Sequence, residues 1–327
     1  MPVISYIQAI TQALREEMQR DEKVFVLGED VGVRGGVFRA TDGLYDEFGE
    51  QRVIDTPLAE SAIAGVGIGA AMYGMRPVAE MQFADFIMPA VNQIVSEAAK
   101  IRYRSNNDWN CPITIRAPYG GGVHGALYHS QSVEALFANV PGLKIVMPST
   151  PYDAKGLLKA AIRDDDPVLF FEHKRAYRLI KGQVPEEEYT LPIGKADVKR
   201  EGEDITVITY GLSVHFALQA AEKLEKDGIS AHILDLRTVY PLDREAIVEA
   251  AKKTGKVLLI TEDNKEGSII SEVSAIIAEE CLFDLDAPIQ RLAGPDVPSM
   301  PYSPPMEKFF MLNPDKVEKA MRDLAEF

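Results

Sequence analysis

The stretch Asp55-Thr56-Pro57-Leu58-Ala59-Glu60-Ser61 places one carboxylate at the head of a run, residues 62–74, that is otherwise nearly devoid of reactive groups. Read locally, it starts a helix. Thr56 is a candidate cap, Pro57 suits the first helical position, and an acid in the opening turn complements the helix dipole. That reading does not account for Gly65, Gly67 and Gly69, which follow at every second position. Each glycine inside a helix costs roughly 1 kcal/mol against alanine. A helix carrying three of them must gain from close approach, either to another backbone or to a flat ligand.

Outward from this helix, short β-rich runs alternate with helical patterns. Ser5 can cap a helix whose apolar positions Ile7, Ile10, Leu14 and Met18 recur at three and four residues. Strand candidates are residues 24–27, 52–54, 78–82, 113–116, 144–147 and 168–172. Their alternation with helices implies an α/β fold with mostly parallel sheets, covered on both faces. Residues 181–204 change character, with Pro185, Glu186-Glu187-Glu188 and Pro192, and are read as a linker. The pattern then restarts as a second α/β domain, residues 205–327. Strands are expected at 205–209, 232–236, 257–261 and 289–292, and helices at 214–226, 243–252 and 268–280. A Pro-rich loop follows at 295–305, and an amphipathic helix at 315–325.

With 327 residues the chain has room for two domains with full cores. Its formal net charge of −15 argues against nucleic acid, whose phosphates require a basic face, and favours partners that bring positive charge. No apolar run approaches the roughly 20 residues that span a bilayer, and no signal peptide is apparent. A cytoplasmic address with no membrane association is expected. The only cysteines, Cys111 and Cys281, form no CxxC pair, so free thiols are expected instead of a disulfide framework or a zinc site.

Several motifs carry chemistry. Gly28-Glu29-Asp30 ends a strand, where open α/β sheets bind ligands, though a solvated turn has the same composition. The glycines at 65, 67 and 69 do not spell a dinucleotide fingerprint, and no P-loop lysine follows Gly120-Gly121-Gly122. That triple reads as a flexible loop positioning His124 and His129, whose imidazoles suit proton transfer near neutral pH. Phe86 reads equally well as core. Asp164-Asp165-Asp166 before Pro167 reads as a solvated turn.

Together with the opening stretch, Val26 to Gly32, Met81 to Phe86, His124 to Gln131 and Pro148 to Gly156 resemble one family along the whole chain. It is the beta subunit of the thiamine-dependent decarboxylase component of 2-oxo acid dehydrogenase complexes. The phrase from His124 to Gln131 is most similar to the branched-chain enzyme, with pyruvate and acetoin relatives as alternatives. The resemblance implies a transketolase-like pyrimidine-binding domain over residues 1–180 and a transketolase C-terminal-like domain over 205–327. It implies thiamine diphosphate as cofactor, with Glu60 bonded to the ring nitrogen of its aminopyrimidine, Phe86 stacked on that ring, and Glu29, Leu58 and Gln82 lining the pocket. His129 becomes the active-site histidine, supplying a proton as the acyl group passes to lipoate, with His124 auxiliary. A potassium site is implied near Ile113, Thr114 and Ala161, with Asp164 and Asp166; Asp166 stands where some relatives have Asn.

No Gly-Asp-Gly occurs in the 327 residues, so the Mg²⁺ that anchors the diphosphate is not expected on this chain. The family supplies it from an alpha subunit in an α2β2 heterotetramer. Lipoyl and peripheral subunit-binding domains of an acyltransferase core are the further partners implied, the latter facing Asp284, Asp286 and the terminal Phe327 carboxylate. A mainly docking role is the alternative from a different class of function.

Overall fold

Ser5 opens the first helix through a reciprocal capping box with Gln8, and the helix buries Tyr6, Ile10, Leu14 and Met18 on one face. The computed structural model describes every residue, Met1–Phe327. Its strands are β1 (Val3–Ser5), β2 (Val24–Gly28), β3 (Val53–Asp55), β4 (Arg76–Glu80), β5 (Thr114–Tyr119), β6 (Lys144–Val146), β7 (Val168–His173), β8 (Lys181–Gln183), β9 (Asp197–Arg200), β10 (Ile205–Thr209), β11 (Ala231–Asp235), β12 (Thr238–Tyr240), β13 (Val257–Asn264) and β14 (Gln290–Gly294). Its helices are α1 (Tyr6–Arg20), α2 (Leu44–Phe48), α3 (Glu60–Met72), α4 (Ile101–Arg104), α5 (Glu134–Ala138), α6 (Pro151–Arg163), α7 (Ala176–Leu179), α8 (Ser213–Leu224), α9 (Arg244–Thr254), α10 (Ile269–Glu280), α11 (Pro304–Phe310) and α12 (Pro314–Ala325).

The chain divides into two units. The first comprises Met1–Tyr119 and Leu136–Ile193, the second Gly120–Ala135 and Gly194–Phe327. In the first unit the strands lie in the order β6, β7, β5, β4, β2, β3, every neighbouring pair parallel. Strands β2, β5 and β7 are buried along their whole length, as a sheet covered on both faces requires. In the second unit the order is β14, β13, β10, β11, β9, with only β9 antiparallel. Helix α12 closes that unit by burying Val317, Met321 and Leu324.

Three local readings change. Thr56 does not cap: the helix begins at Glu60, its N-cap position is Ala59 without a side-chain bond, and the Thr56 hydroxyl is buried without a partner. Residues 181–204 hold two short strands, β8 paired with β1 and β9 paired with β11. Both are edge strands whose partners lie far along the chain, so no local pattern announces them. The Pro-rich run does not stay irregular to its end, because Ser303 precedes α11 and prolines 304 and 305 occupy its first turn.

Among the three glycines of α3, Gly67 is explained within the chain. A Cβ there would sit 2.8 Å from the Ile113 side chain, whereas Gly69 has nothing within 4 Å and Gly65 only the Gln93 side chain at 4.0 Å. Both cysteines are buried free thiols. No helix is long and apolar enough to cross a membrane.

Candidate active site

Strand β2 lies between β3 and β4, with Gly28 in register with Asp55 on one side and Glu80 on the other. The three segments leaving the carboxyl ends of these strands are therefore neighbours. They carry Glu29, then Thr56 to Glu60, then Gln82 to Phe86, and this edge is where parallel sheets hold ligands. Gly28 must be glycine, since a Cβ would come within 2.8 Å of the Glu80 carbonyl. Asp55 accepts the Gly32 backbone N–H at 2.6 Å and ties down the loop after β2.

Glu60 is the first residue of α3 and is 9% exposed. Its charge and that of Asp30 add to the effect of burial in raising the Glu29 carboxyl above its ordinary value. Glu29 and Glu60 are thus close, and both lie at the sheet edge. Leu58, 70% exposed, offers apolar surface beside them. Phe86 is held in a chain of rings: its centroid is 5.4 Å from Phe83 at 69°, and Phe83 meets Phe38 at 5.4 Å and 72°. The Lys174 ammonium lies 5.5 Å from the Phe83 ring. These contacts fix the aromatic wall in edge-to-face geometry. Gln82 is half-buried next to it.

Beneath this edge lies an ion cluster that the sequence reading missed. Arg116 of β5 is fully buried; its Nε and Nη2 donate to Glu172 of β7 at 2.6 and 2.7 Å, and its Nη1 donates to Glu80 of β4 at 2.6 Å. The Tyr177 hydroxyl donates to Glu172 at 2.6 Å. Burial raises Glu80 despite Arg116, and the two carboxylates hold the guanidinium protonated. Glu80 leads directly into Met81 and Gln82, and Met81 N–H is bonded to the Arg116 carbonyl at 2.9 Å. A charged residue in each of three buried strands was the available signal.

The histidine loop belongs to the second unit. It is tightly held, contrary to the flexible loop expected. A Cβ on Gly121 would lie 2.3 Å from the Met300 methyl, and the Gly121 N–H donates to Glu262 at 2.6 Å. Gly120 and Gly122 have φ of 84° and 81°, which explains the glycines by geometry. Glu307, buried on α11, accepts the His124 N–H at 3.2 Å and faces its Nδ1 at 2.5 Å. His124 is paired with Glu307 there, and His129 lies half-buried five residues on.

The residues read as a potassium site lie at the other end of the first sheet. Ile113 and Thr114 are at the start of β5, and Ala161, Asp164 and Asp166 are at or beyond the end of α6. Several of their oxygens already accept bonds within the chain. Lys144 bonds both Asp164 oxygens at 2.7 and 2.6 Å, and Arg102 bonds Asp166. The Ile113 carbonyl takes the Val168 N–H and the Ala161 carbonyl the Asp164 N–H. Arg76 bonds the Asp164 carbonyl and Asp165. Lysine and two arginines thus supply neutralising charge of the kind a cation would bring to the aspartates.

This architecture, paired α/β units with an acid at a helix start over the strand ends, defines a transketolase-type chain. Residues 3–180 match the transketolase pyrimidine-binding domain and residues 194–317 the transketolase C-terminal domain. A split-gene transketolase, solved as an inactive beta4 tetramer, superposes with a TM-score of 0.80 at 25% identity, over 99% of this chain and 98% of that one. The 2-oxoisovalerate dehydrogenase subunit beta of Bacillus subtilis (strain 168) is 83% identical over the full length of both chains. The pyruvate dehydrogenase E1 component subunit beta of the same organism is 51% identical over the full length of both, and that of Staphylococcus aureus (strain Mu50 / ATCC 700699) is 46% identical over 99% of each. The chain belongs to the family of 2-oxo acid dehydrogenase beta subunits, which depend on thiamine diphosphate. The chemistry of its residues suits the pyrimidine end of that cofactor: a buried orphan hydroxyl on Thr56, an exposed Leu58, the ring of Phe86 packed on Phe83 and the Glu60 carboxyl all follow the carboxyl ends of neighbouring strands.

Proposed function

We propose that this chain is the beta subunit of a branched-chain 2-oxo acid dehydrogenase, oxidatively decarboxylating 2-oxo acids and passing the acyl group to lipoate. The observation that carries the catalytic reading is Glu60, buried at the head of α3 beside Glu29 at the strand ends. Glu60 would hydrogen-bond the pyrimidine ring nitrogen of the cofactor, holding a proton there. Leu58 and Phe86 would cover its apolar faces, with Glu29 and Gln82 at the rim. When bound, thiamine diphosphate supplies the electron sink that lets a 2-oxo acid lose carbon dioxide. His129 would give a proton to a dithiolane sulfur during acyl transfer.

The diphosphate and its Mg²⁺ fall to an alpha subunit in an α2β2 heterotetramer, because this chain has no Gly-Asp-Gly. Division into residues 1–180, a linker and 205–327, and a cytoplasmic address, are part of the same proposal. The acyltransferase core would dock on the second unit. Asp284 and Asp286 are exposed there, and Phe283, immediately before Asp284, is 99% exposed.

The test reconstitutes the enzyme with its alpha subunit. Decarboxylation should favour 3-methyl-2-oxobutanoate over pyruvate; the reverse preference makes the chain a pyruvate enzyme. Glu60→Gln should abolish decarboxylation while assembly persists. His129→Ala should impair lipoyl acylation more than decarboxylation with an artificial acceptor. Near-normal turnover by the Gln variant removes Glu60 from catalysis.

A further inference from the structure

The loop Gly120–Ala135 is held on the second unit by carboxylates at three points. Glu262 accepts the Gly121 N–H, Glu307 holds His124, and at the far end the loop contributes its own acid, Glu134, to the interior. Its base is closed by the Gly120 N–H on the Gln131 carbonyl at 3.0 Å. Two residues between, His124 and Ala126, have φ of 57° and 52°, the left-handed region that non-glycine residues rarely occupy. The anchors therefore hold a backbone course that would not persist unaided.

Glu134 is 1% exposed. One oxygen accepts the Tyr210 hydroxyl at 2.8 Å, and the other is buried without any partner. Tyr210 follows β10 and also bonds Thr261 of β13 at 2.7 Å. The ionisable groups facing Glu134 are Tyr210, Glu262 and Asp263, with Asp296 beyond β14 acting on Asp263. None is a cation. An ionised Glu134 would put a bare oxygen into a dry site beside two more acids, so burial and its neighbours oppose the charged form.

We propose that Glu134, with Tyr210 and Asp263, forms a proton-dependent latch that positions the His129 segment on the second unit. The residues adjoining it, Ser130, Gln131 and Ser132, line a cleft shared with Glu262 and Asp263, so release of Glu134 alters the ground on which His129 stands. This rests on the role given to His129 under the proposed function. Glu134 touches no reacting atom and acts through the loop; it is a positioning residue. Burial and the neighbouring acids push its carboxyl up to about 8 and that of Asp263 up to about 6.

The sign follows from linkage. An acid whose value is raised in the closed state loses its contribution to closure as pH climbs from the ordinary carboxyl range to the raised value, and the loss then levels off. Asp263 completes its change lower, leaving Glu134 as the group that acts above about 6. In the reconstituted enzyme, amide protection of residues 120–135, corrected for intrinsic exchange, should fall about twentyfold between about pH 6.5 and about pH 8.5. Glu134→Gln, neutral throughout, should flatten that fall. Tyr210→Phe removes the bond that favours the carboxylate and should carry the fall to higher pH. The ratio of lipoyl acylation to decarboxylation should track protection in all three proteins. A flat wild-type profile, or a Gln variant with the wild-type slope, overturns the latch. His129→Ala separates the two ideas: if it leaves acylation intact while protection behaves as described, the histidine's role fails and the latch stands.

Discussion

Replacing Arg116 by Leu deletes the one cation in the centre of the first sheet. Glu80 and Glu172 are 4% and 0% exposed, and without the guanidinium the Tyr177 hydroxyl would remain as a donor to Glu172 alone. Three charge-assisted bonds at 2.6 to 2.7 Å disappear. Removing one partner of a buried ion cluster costs about 3–5 kcal/mol, chiefly as the penalty on the charges left behind. The upper part of that range applies, because two carboxylates are orphaned by one substitution. Both acids should respond by binding protons. Glu80 already titrates above its ordinary value through burial, and without Arg116 the rise is larger. A raised acid is a liability that grows with pH, so the deficit against wild type should be larger at about pH 8 than at about pH 5.5. Urea unfolding followed by far-ultraviolet circular dichroism at the two pH values measures it. A loss below about 1 kcal/mol, or one equal at both pH values, would refute the reasoning. Arg116→Lys should recover only part of the loss, since an ammonium cannot reproduce the planar fork to Glu172.

Exchanging potassium for sodium at equal ionic strength should leave the melting temperature of the beta subunit unchanged, because Lys144, Arg102 and Arg76 already neutralise the aspartates at 164–166; a potassium-specific rise would restore the ion site. Asp284→Asn with Asp286→Asn should slow association with the isolated subunit-binding domain several-fold and reduce its salt dependence, without changing decarboxylation. Asp284 has a single 3.5 Å contact to Lys252, so its charge remains available, and an unchanged salt slope in the double variant would place the docking surface elsewhere.

What the sequence disclosed, and what it hid, divides by range of interaction. Helix α1 was legible because its cap, its capping-box partner and its apolar stripe all lie within fifteen residues. The parallel sheet was legible because buried strands announce themselves as apolar runs. Thr56 was misread for a local reason: its hydroxyl looked like a cap, yet the next three residues are non-helical and the helix begins only at Glu60. Arg116 was invisible as a cluster because its partners lie 36 and 56 residues away and meet it only once β4, β5 and β7 are neighbours. The same holds for the histidine loop. Its glycines suggested freedom, but Gly121 answers to Glu262, 141 residues further on, and His124 to Glu307, 183 residues on. Glycine permits close approach as readily as motion, and only the distant partner decides which. Here the partners are acids, and in the same unit Asp263 and Glu262 add to burial in raising the Glu134 carboxyl.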